Sequence, residues 1–363
     1  MDVFACGRCG AVLTVPVAEV ALPVRAHQTY GHDMLPALME PGTYAVDPEP
    51  SGLPWRRWEE IGAEAAEARG VYAPVHALSY GPPGEIVLAP GDTRGTVFIP
   101  GRLDGYCLGI DGRDGLNLAC ARCGSFVATR VDDCACWQTV WLSPRAVHRL
   151  PAGGPAQLPA DWSVVTDRRR DEGRDTPPVD QLGAWSPHWE AAAGAALAHL
   201  LAASAGAPLV LPRGLVTDLF GPTLDRLLAA APPRPPGPAA PRRVVVAGPE
   251  LPPPERGDSL ALVPRHPHTG RTWQPPESVA AVPLEADVWA QLAFPRERLA
   301  VPATGGLPAG VLRDDPPPLH PHRLFEPDRR VFLRTLARLP AVRRPELRAI
   351  YDHARVTPYG PVV

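Results

Sequence analysis

Two short stretches hold the residues best suited to chemistry. "FACGRCGAVLTV" begins at Phe4 and "LACARCGSFVATRV" at Leu118, and each has an apolar lead-in, a Cys-x-x-Cys-Gly turn and a strand-like exit. A Cys-x-x-Cys turn aims two thiolates at one point, and the glycine after it lets the chain take φ > 0 without steric penalty. Each turn supplies two ligands and a structural zinc takes four, so Cys6, Cys9, Cys120 and Cys123 are expected to complete one tetrahedral site. Four thiolates fill the shell and leave no position for water, so this zinc is expected to be structural and not catalytic.

A local alternative stays open. Cys134 and Cys136 in "VDDCACW" could join Cys120 and Cys123, leaving Cys6 and Cys9 to find ligands among Cys107, His27, His32 and His148. In the shared-site reading Cys107, Cys134 and Cys136 are free thiols that pack as small hydrophobes. Thioredoxin-type dithiols sit at helix starts, whereas "AVLTV" and "FVATRV" follow these pairs, which argues against redox catalysis.

Other chemistry-bearing residues have plainer readings. His266 and His268 in "RHPHTG", and His320 and His322 in "LHPHRL", would point to one side of an extended segment and could ligate a metal; Pro-rich surface loops are the preferred reading. Trp55, Trp58, Trp137 and Trp141 are assigned to core packing before an apolar groove. Asp111 and Asp114 lie in a Gly-rich turn without EF-hand spacing, and Asp132 and Asp133 are expected in an exposed turn.

The elements that must position the cysteines fall in residues 1–150, whose texture is β. "AVLTVPV", "GVYAPVHALSYG", "GEIVLAPG", "GTVFIPG" and "DGYCLGIDG" alternate with Gly, Pro and Asp at hairpin-like intervals. One helix is expected in "PWRRWEEIGAEAAEARG", opened by Pro54 and closed by Gly70. Residues 151–184, with the polar run Thr166 to Gln181, read as a linker. Residues 185–310 read as a smaller α/β unit that starts with a helix capped by Ser186 and Pro187 and then alternates aliphatic strands with helices. Residues 311–363 read as a helical, Arg-rich end, with nine arginines against four acidic residues from Arg323 to Arg355. The fold class expected is therefore α+β: a β-rich N-terminal domain closed by a split four-cysteine zinc ribbon, a smaller α/β unit, and C-terminal amphipathic helices.

Composition limits the function. The 363 residues include 49 prolines and 33 glycines but are 45% hydrophobic, which suits folded units joined by long loops. No lysine occurs, so all 36 basic residues are arginine, and P-loop, Schiff-base and kinase-type phosphate lysines are excluded. This usage resembles that of proteins from high-GC bacteria, which implies no activity. A net charge of −3 argues against a general nucleic-acid binder. The N-terminus lacks a signal-peptide pattern, and the apolar run from Ala191 is alanine-rich, holds His199 and is cut by Pro208. A cytoplasmic protein with no membrane span is expected, its cysteines serving as thiols or metal ligands.

The split pair CGRCG and CARCG, with β texture between, resembles the zinc ribbon of β-tent domains, the group of Yippee-like proteins, the ligand-binding domain of cereblon and B-type methionine sulfoxide reductases. The resemblance spans residues 1–145. It implies a β-rich domain with zinc on Cys6, Cys9, Cys120 and Cys123; no reductase nucleophile is matched, and Trp137 and Trp141 have no assigned place in a cereblon-like cage. The expected function is a non-catalytic, zinc-stabilised binding protein with a protein or small-molecule partner. The alternatives are an enzyme with its site in the C-terminal unit or between domains, and a nucleic-acid-binding regulator.

Overall fold

A computed structural model describes residues 1–107, 109–154, 158–167, 178–179, 183–230, 241–254, 259–295 and 321–356. They form two compact units. The first comprises Met1–Ala66, Val75–Ala160 and Pro267–Gly270, and the second Glu67–Pro74, Asp161–His266 and Arg271–Val363. The fold is mixed α+β.

Short β-branched runs make the first unit. Its strands are β1 (Asp2–Cys6), β2 (Ala18–Glu19), β3 (Thr43–Asp47), β4 (Trp55–Arg57), β5 (Ala77–Ser79), β6 (Glu85–Leu88), β7 (Thr96–Phe98), β8 (Leu118–Cys120), β9 (Phe126–Val131), β10 (Thr139–Leu142) and β11 (Val147–Pro151). Seven of them form one sheet in the order β2-β3-β6-β10-β9-β8-β7, antiparallel except for the β2–β3 pair. β1 pairs antiparallel with β11, placing Cys6 opposite Val147.

Period-two alternation splits the sheet's side chains between two cores. Tyr44, Ile86, Leu88, Val127, Val140 and Leu142 pack with Phe4, Cys6 and Cys120 on one face. Ala45 and Val87 pack with Leu35, Leu38, Met39 and Trp137 on the other. The first core also takes Leu13 and Val17 from the expected strand over residues 11–17, which makes only isolated bridges at Val12, Thr14 and Val17.

The helix expected from Trp55 to Gly70 is not continuous. Trp55–Arg57 pairs with β5 as a strand, and the helical part is two short pieces, α1 (Trp58–Ile61) and α2 (Ala63–Glu67). Gly62 separates them at φ 78° and donates its amide to the Trp58 carbonyl, a helix stop inside the expected helix. Trp55 is exposed, whereas Trp137 is buried in the second core.

In the second unit β12 (Leu209–Val210), β13 (Arg242–Val246), β14 (Ser259–Arg265) and β15 (Ala280–Glu285) form a wholly parallel sheet in chain order. Central β14 is buried from Leu260 to Pro264, the near-continuous apolar run of a strand covered on both faces. Helix α4 (Pro187–Ser204) starts at the expected Ser186–Pro187 and is buried along nearly its whole length, packed on β15 and on α7 (Arg329–Ala337). Helices α5 (Leu215–Ala229), α6 (Ala286–Ala293) and α8 (Pro345–Val356) complete the unit. The C-terminal helices therefore share a unit with the α/β part instead of forming a separate segment. Within residues 151–184, read as a linker, Ser163–Asp167 forms helix α3 with Val165 fully buried.

Candidate metal centre

The two cysteine turns are built alike, bond for bond. In the first, the Gly10 amide donates to the Cys6 carbonyl and the Cys6 amide to the Ala11 carbonyl, both at 2.8 Å. In the second, Gly124 donates to Cys120 and Cys120 to Ser125, again at 2.8 Å. Gly10 and Gly124 close the turns at φ 70° and 72°, where a β-carbon would be strained. Even the outward amide is matched: Gly7 donates to the Ala146 carbonyl and Ala121 to that of Gly95, each at 2.8 Å. β1 carries one turn out of its pairing with β11, and β8 carries the other from between β7 and β9.

These turns bring all four sulfurs within 4.8 Å of one another. Cys6 Sγ lies 3.6 Å from Cys123 Sγ, and Cys9 Sγ lies 3.6 Å from Cys120 Sγ. A tetrahedron of sulfurs about 2.3 Å from a central zinc has edges of about 3.8 Å, so these two spacings are compatible with a shared metal and far longer than a disulfide. Cys6 and Cys120 are fully buried, and Cys9 and Cys123 are partly covered.

The thiols are electrostatically unequal. The Ser125 hydroxyl, 3.4 Å from Cys123 Sγ, and then the Ser125 amide lower the Cys123 thiol to about 6. At Cys9 the Ala11 amide pulls downward but is outweighed by burial and the neighbouring thiols, which leave it raised to about 11. Four sulfurs this close cannot all ionise without a counter-charge, and a divalent cation supplies one. The Cys6, Cys9, Cys120 and Cys123 group is thus compatible with metal binding.

The local alternative is not what the fold assembles. Cys134 lies with Cys107 and His32, a second group whose ligand atoms fall within 4.8 Å of one another, and not with Cys120 and Cys123. Cys107 is exposed instead of packed as a small hydrophobe. Cys136 joins neither group among the described residues; its backbone bridges to Thr29. Asp133, read as part of an exposed turn, is buried. No spacing rule pointed to His32, Cys107 and Cys134 as a set, since three separate loops deliver them.

The His-Pro-His segments do not assemble a site among the described residues. His266 is buried with Nε2 2.9 Å from the Asp161 carbonyl oxygen, and His268 Nδ1 is 2.9 Å from that of Pro159. His322 donates its backbone amide to the Gly183 carbonyl, and His320 lies outside the described residues. In the second unit His188 Nε2 sits 2.7 Å from Asp287 Oδ2, tying α4 to α6, and Glu190 pairs with Arg323. Among the described residues no helix is long and apolar enough to cross a membrane.

Comparison with protein-family models, with curated proteins and with solved structures finds no match to this chain.

Proposed function

We propose that Cys6, Cys9, Cys120 and Cys123 hold one structural zinc that closes the first unit as a split ribbon, and that the protein is a non-catalytic binding protein, cytoplasmic, with a protein or small-molecule partner. The observation that carries the zinc is the matched pair of turns, whose four sulfurs lie within 4.8 Å of one another, with two of the cross-turn pairs at 3.6 Å, near the edge of a zinc–thiolate tetrahedron. Zinc fits the donor set because thiolates suit a borderline-soft, redox-inert ion. A shell filled by protein sulfur supplies no site for substrate, so the metal's work is architectural.

The binding role draws support from the sheet edge next to the centre. Val97 and Phe98 on edge strand β7 and Phe126 on β9 are exposed apolar side chains. The Arg102 guanidinium lies 5.0 Å from the Phe126 ring centroid and that of Arg130 6.0 Å from Phe98. Arginine stacked on exposed aromatics is a common composition for recognition surfaces. The overall charge of −3 does not favour nucleic acid as the partner.

The test is zinc content and thermal melting of Cys6→Ser and Cys120→Ser. Each is expected to lose the same equivalent of zinc and to lower the melting temperature of the first unit by a similar amount. Unchanged zinc content and melting in Cys6→Ser would defeat the shared site.

A further inference from the structure

We propose a second metal site in the first unit, formed by His32, Cys107 and Cys134, that takes a zinc-class divalent cation and keeps one coordination position open to an exogenous ligand. It uses no residue of the four-cysteine centre and stands apart from that reading.

The topology brings the three ligands to one end of the main sheet. Cys134 lies in the turn from β9 to β10, Cys107 in the loop from β7 to β8, and His32 in the loop from β2 to β3. The four-cysteine centre, where β8 ends and β9 begins, lies at the opposite end of the same hairpin. His32 Nδ1 is 3.7 Å from Cys107 Sγ and 3.9 Å from Cys134 Sγ. Arms of about 2.0–2.1 Å to nitrogen and about 2.3 Å to sulfur give a tetrahedral N···S edge of about 3.6 Å, so one ion reaches all three atoms.

The loops are held in this arrangement by bonds that serve the ligands. The buried Asp133 carboxylate accepts the Tyr106 amide at 2.6 Å and the Cys107 amide at 3.3 Å on Oδ2, and the Cys134 amide at 2.7 Å on Oδ1. One side chain thus fixes both cysteine backbones. On the other side, Tyr30 donates its amide to the Ala135 carbonyl and Ala135 to the Asp33 carbonyl, each at 2.9 Å, which places His32 against the turn. Ala135 holds φ 66°, a strained value for a residue with a β-carbon, and this bend separates Cys134 from Cys136. Asn117, fully buried, braces the far side by donating to the Arg130 carbonyl at 2.9 Å and accepting the Arg130 amide at 2.7 Å. A carboxylate fixing ligand backbones is the outer-shell support that metal sites use.

The donor set differs in kind from the first centre. Three protein ligands leave one tetrahedral position, and His32 and Cys107 are solvent-exposed, so water or a small anion can reach the ion. Such an ion binds and polarises a ligand, which the closed tetrathiolate cannot do.

The experiment counts Zn2+ bound to the full chain, reduced and then freed of excess metal, for wild type, Cys107→Ser, His32→Ala and Cys6→Ser. Expected are about two equivalents in wild type and about one in each variant. The exposed positions of Cys107 and His32 should leave their variants melting like wild type when both are metal-free. With Co2+ in place of zinc, azide should shift the visible absorption of wild type and Cys6→Ser but not that of Cys107→Ser. One equivalent in wild type, lost in Cys6→Ser and kept in Cys107→Ser, overturns the second site and leaves the first. One equivalent lost in Cys107→Ser and kept in Cys6→Ser upholds the second and removes the first. A Cys107–Cys134 disulfide in the zinc-treated wild type, found by non-reducing peptide mapping, overturns the proposal, as does a Co2+ spectrum indifferent to azide.

Discussion

Replacing Asp133 by alanine removes the acceptor of three amides at once, those of Tyr106, Cys107 and Cys134. An unsatisfied buried donor costs about 1–3 kcal/mol, and the loop around Tyr106 can rehydrate, so Asp133→Ala is expected to lose about 2 kcal/mol in denaturant unfolding of the metal-free chain. Glu85 offers a test of opposite sign. Burial raises its pKa, opposed by the Ser51 hydroxyl that donates to it at 2.6 Å and assisted by Asp47, its cross-strand partner. An acid with a raised folded pKa keeps its proton longer in the native state, so its contribution falls as pH rises through the ordinary carboxylate range toward the folded value. Glu85→Gln removes that dependence. Its melting-temperature advantage over wild type should widen from about pH 4 to about pH 8, and a constant gap would show that Glu85 is not the titrating group. At this scale the cysteine turns were legible because Cys-x-x-Cys-Gly is a local pattern whose hydrogen bonds close within six residues. The trio of His32, Cys107 and Cys134 was not, because its members are 75 and 102 residues from His32 and share no turn.

Helix α4 shows an element set by close approach. A β-carbon on Gly194 would meet the Asp328 carbonyl oxygen at 2.5 Å, where the cap of α7 presses on the helix and the Asp328 amide donates to the Glu190 carbonyl at 2.7 Å. Glycine to alanine inside a helix ordinarily gains about 1 kcal/mol. Gly194→Ala should instead lower the denaturant midpoint, because the backbone of α7 has to move. The parallel sheet was readable as an element series, since β13, β14 and β15 each carry an aliphatic run, although only β14 is buried almost throughout. The helix over residues 55–70 misled because its composition favours helix while Gly62 and the pairing of Trp55–Arg57 with β5 divide it. In the last helix Leu347, Ile350, Tyr351 and Ala354 are all buried, as their spacing indicates.

At the level of the whole chain, metal removal should act on one unit. Chelation is expected to strip hydrogen-exchange protection from β1, β8 and β9, which flank the cysteine turns, while β13, β14 and β15 keep theirs; equal loss in both sets would show that the metal does not act through the first unit. The assignment of Glu67–Pro74 to the second unit was not legible, because it depends on distant contacts such as the Tyr72 amide on the Ala337 carbonyl and the Tyr351 hydroxyl on that of Pro74. The separation of the two turns also bears on how the chain is made. Cys9 and Cys120 are 111 residues apart, and β1 finds its partner β11 later still. At ribosomal speeds of about 5–20 residues per second, the first turn is extruded roughly 6–22 s before its counterpart. For that interval β1 has only its local bridges to Val12 and Val17, and a zinc held as proposed can be gripped by all four sulfurs only once the second turn has emerged.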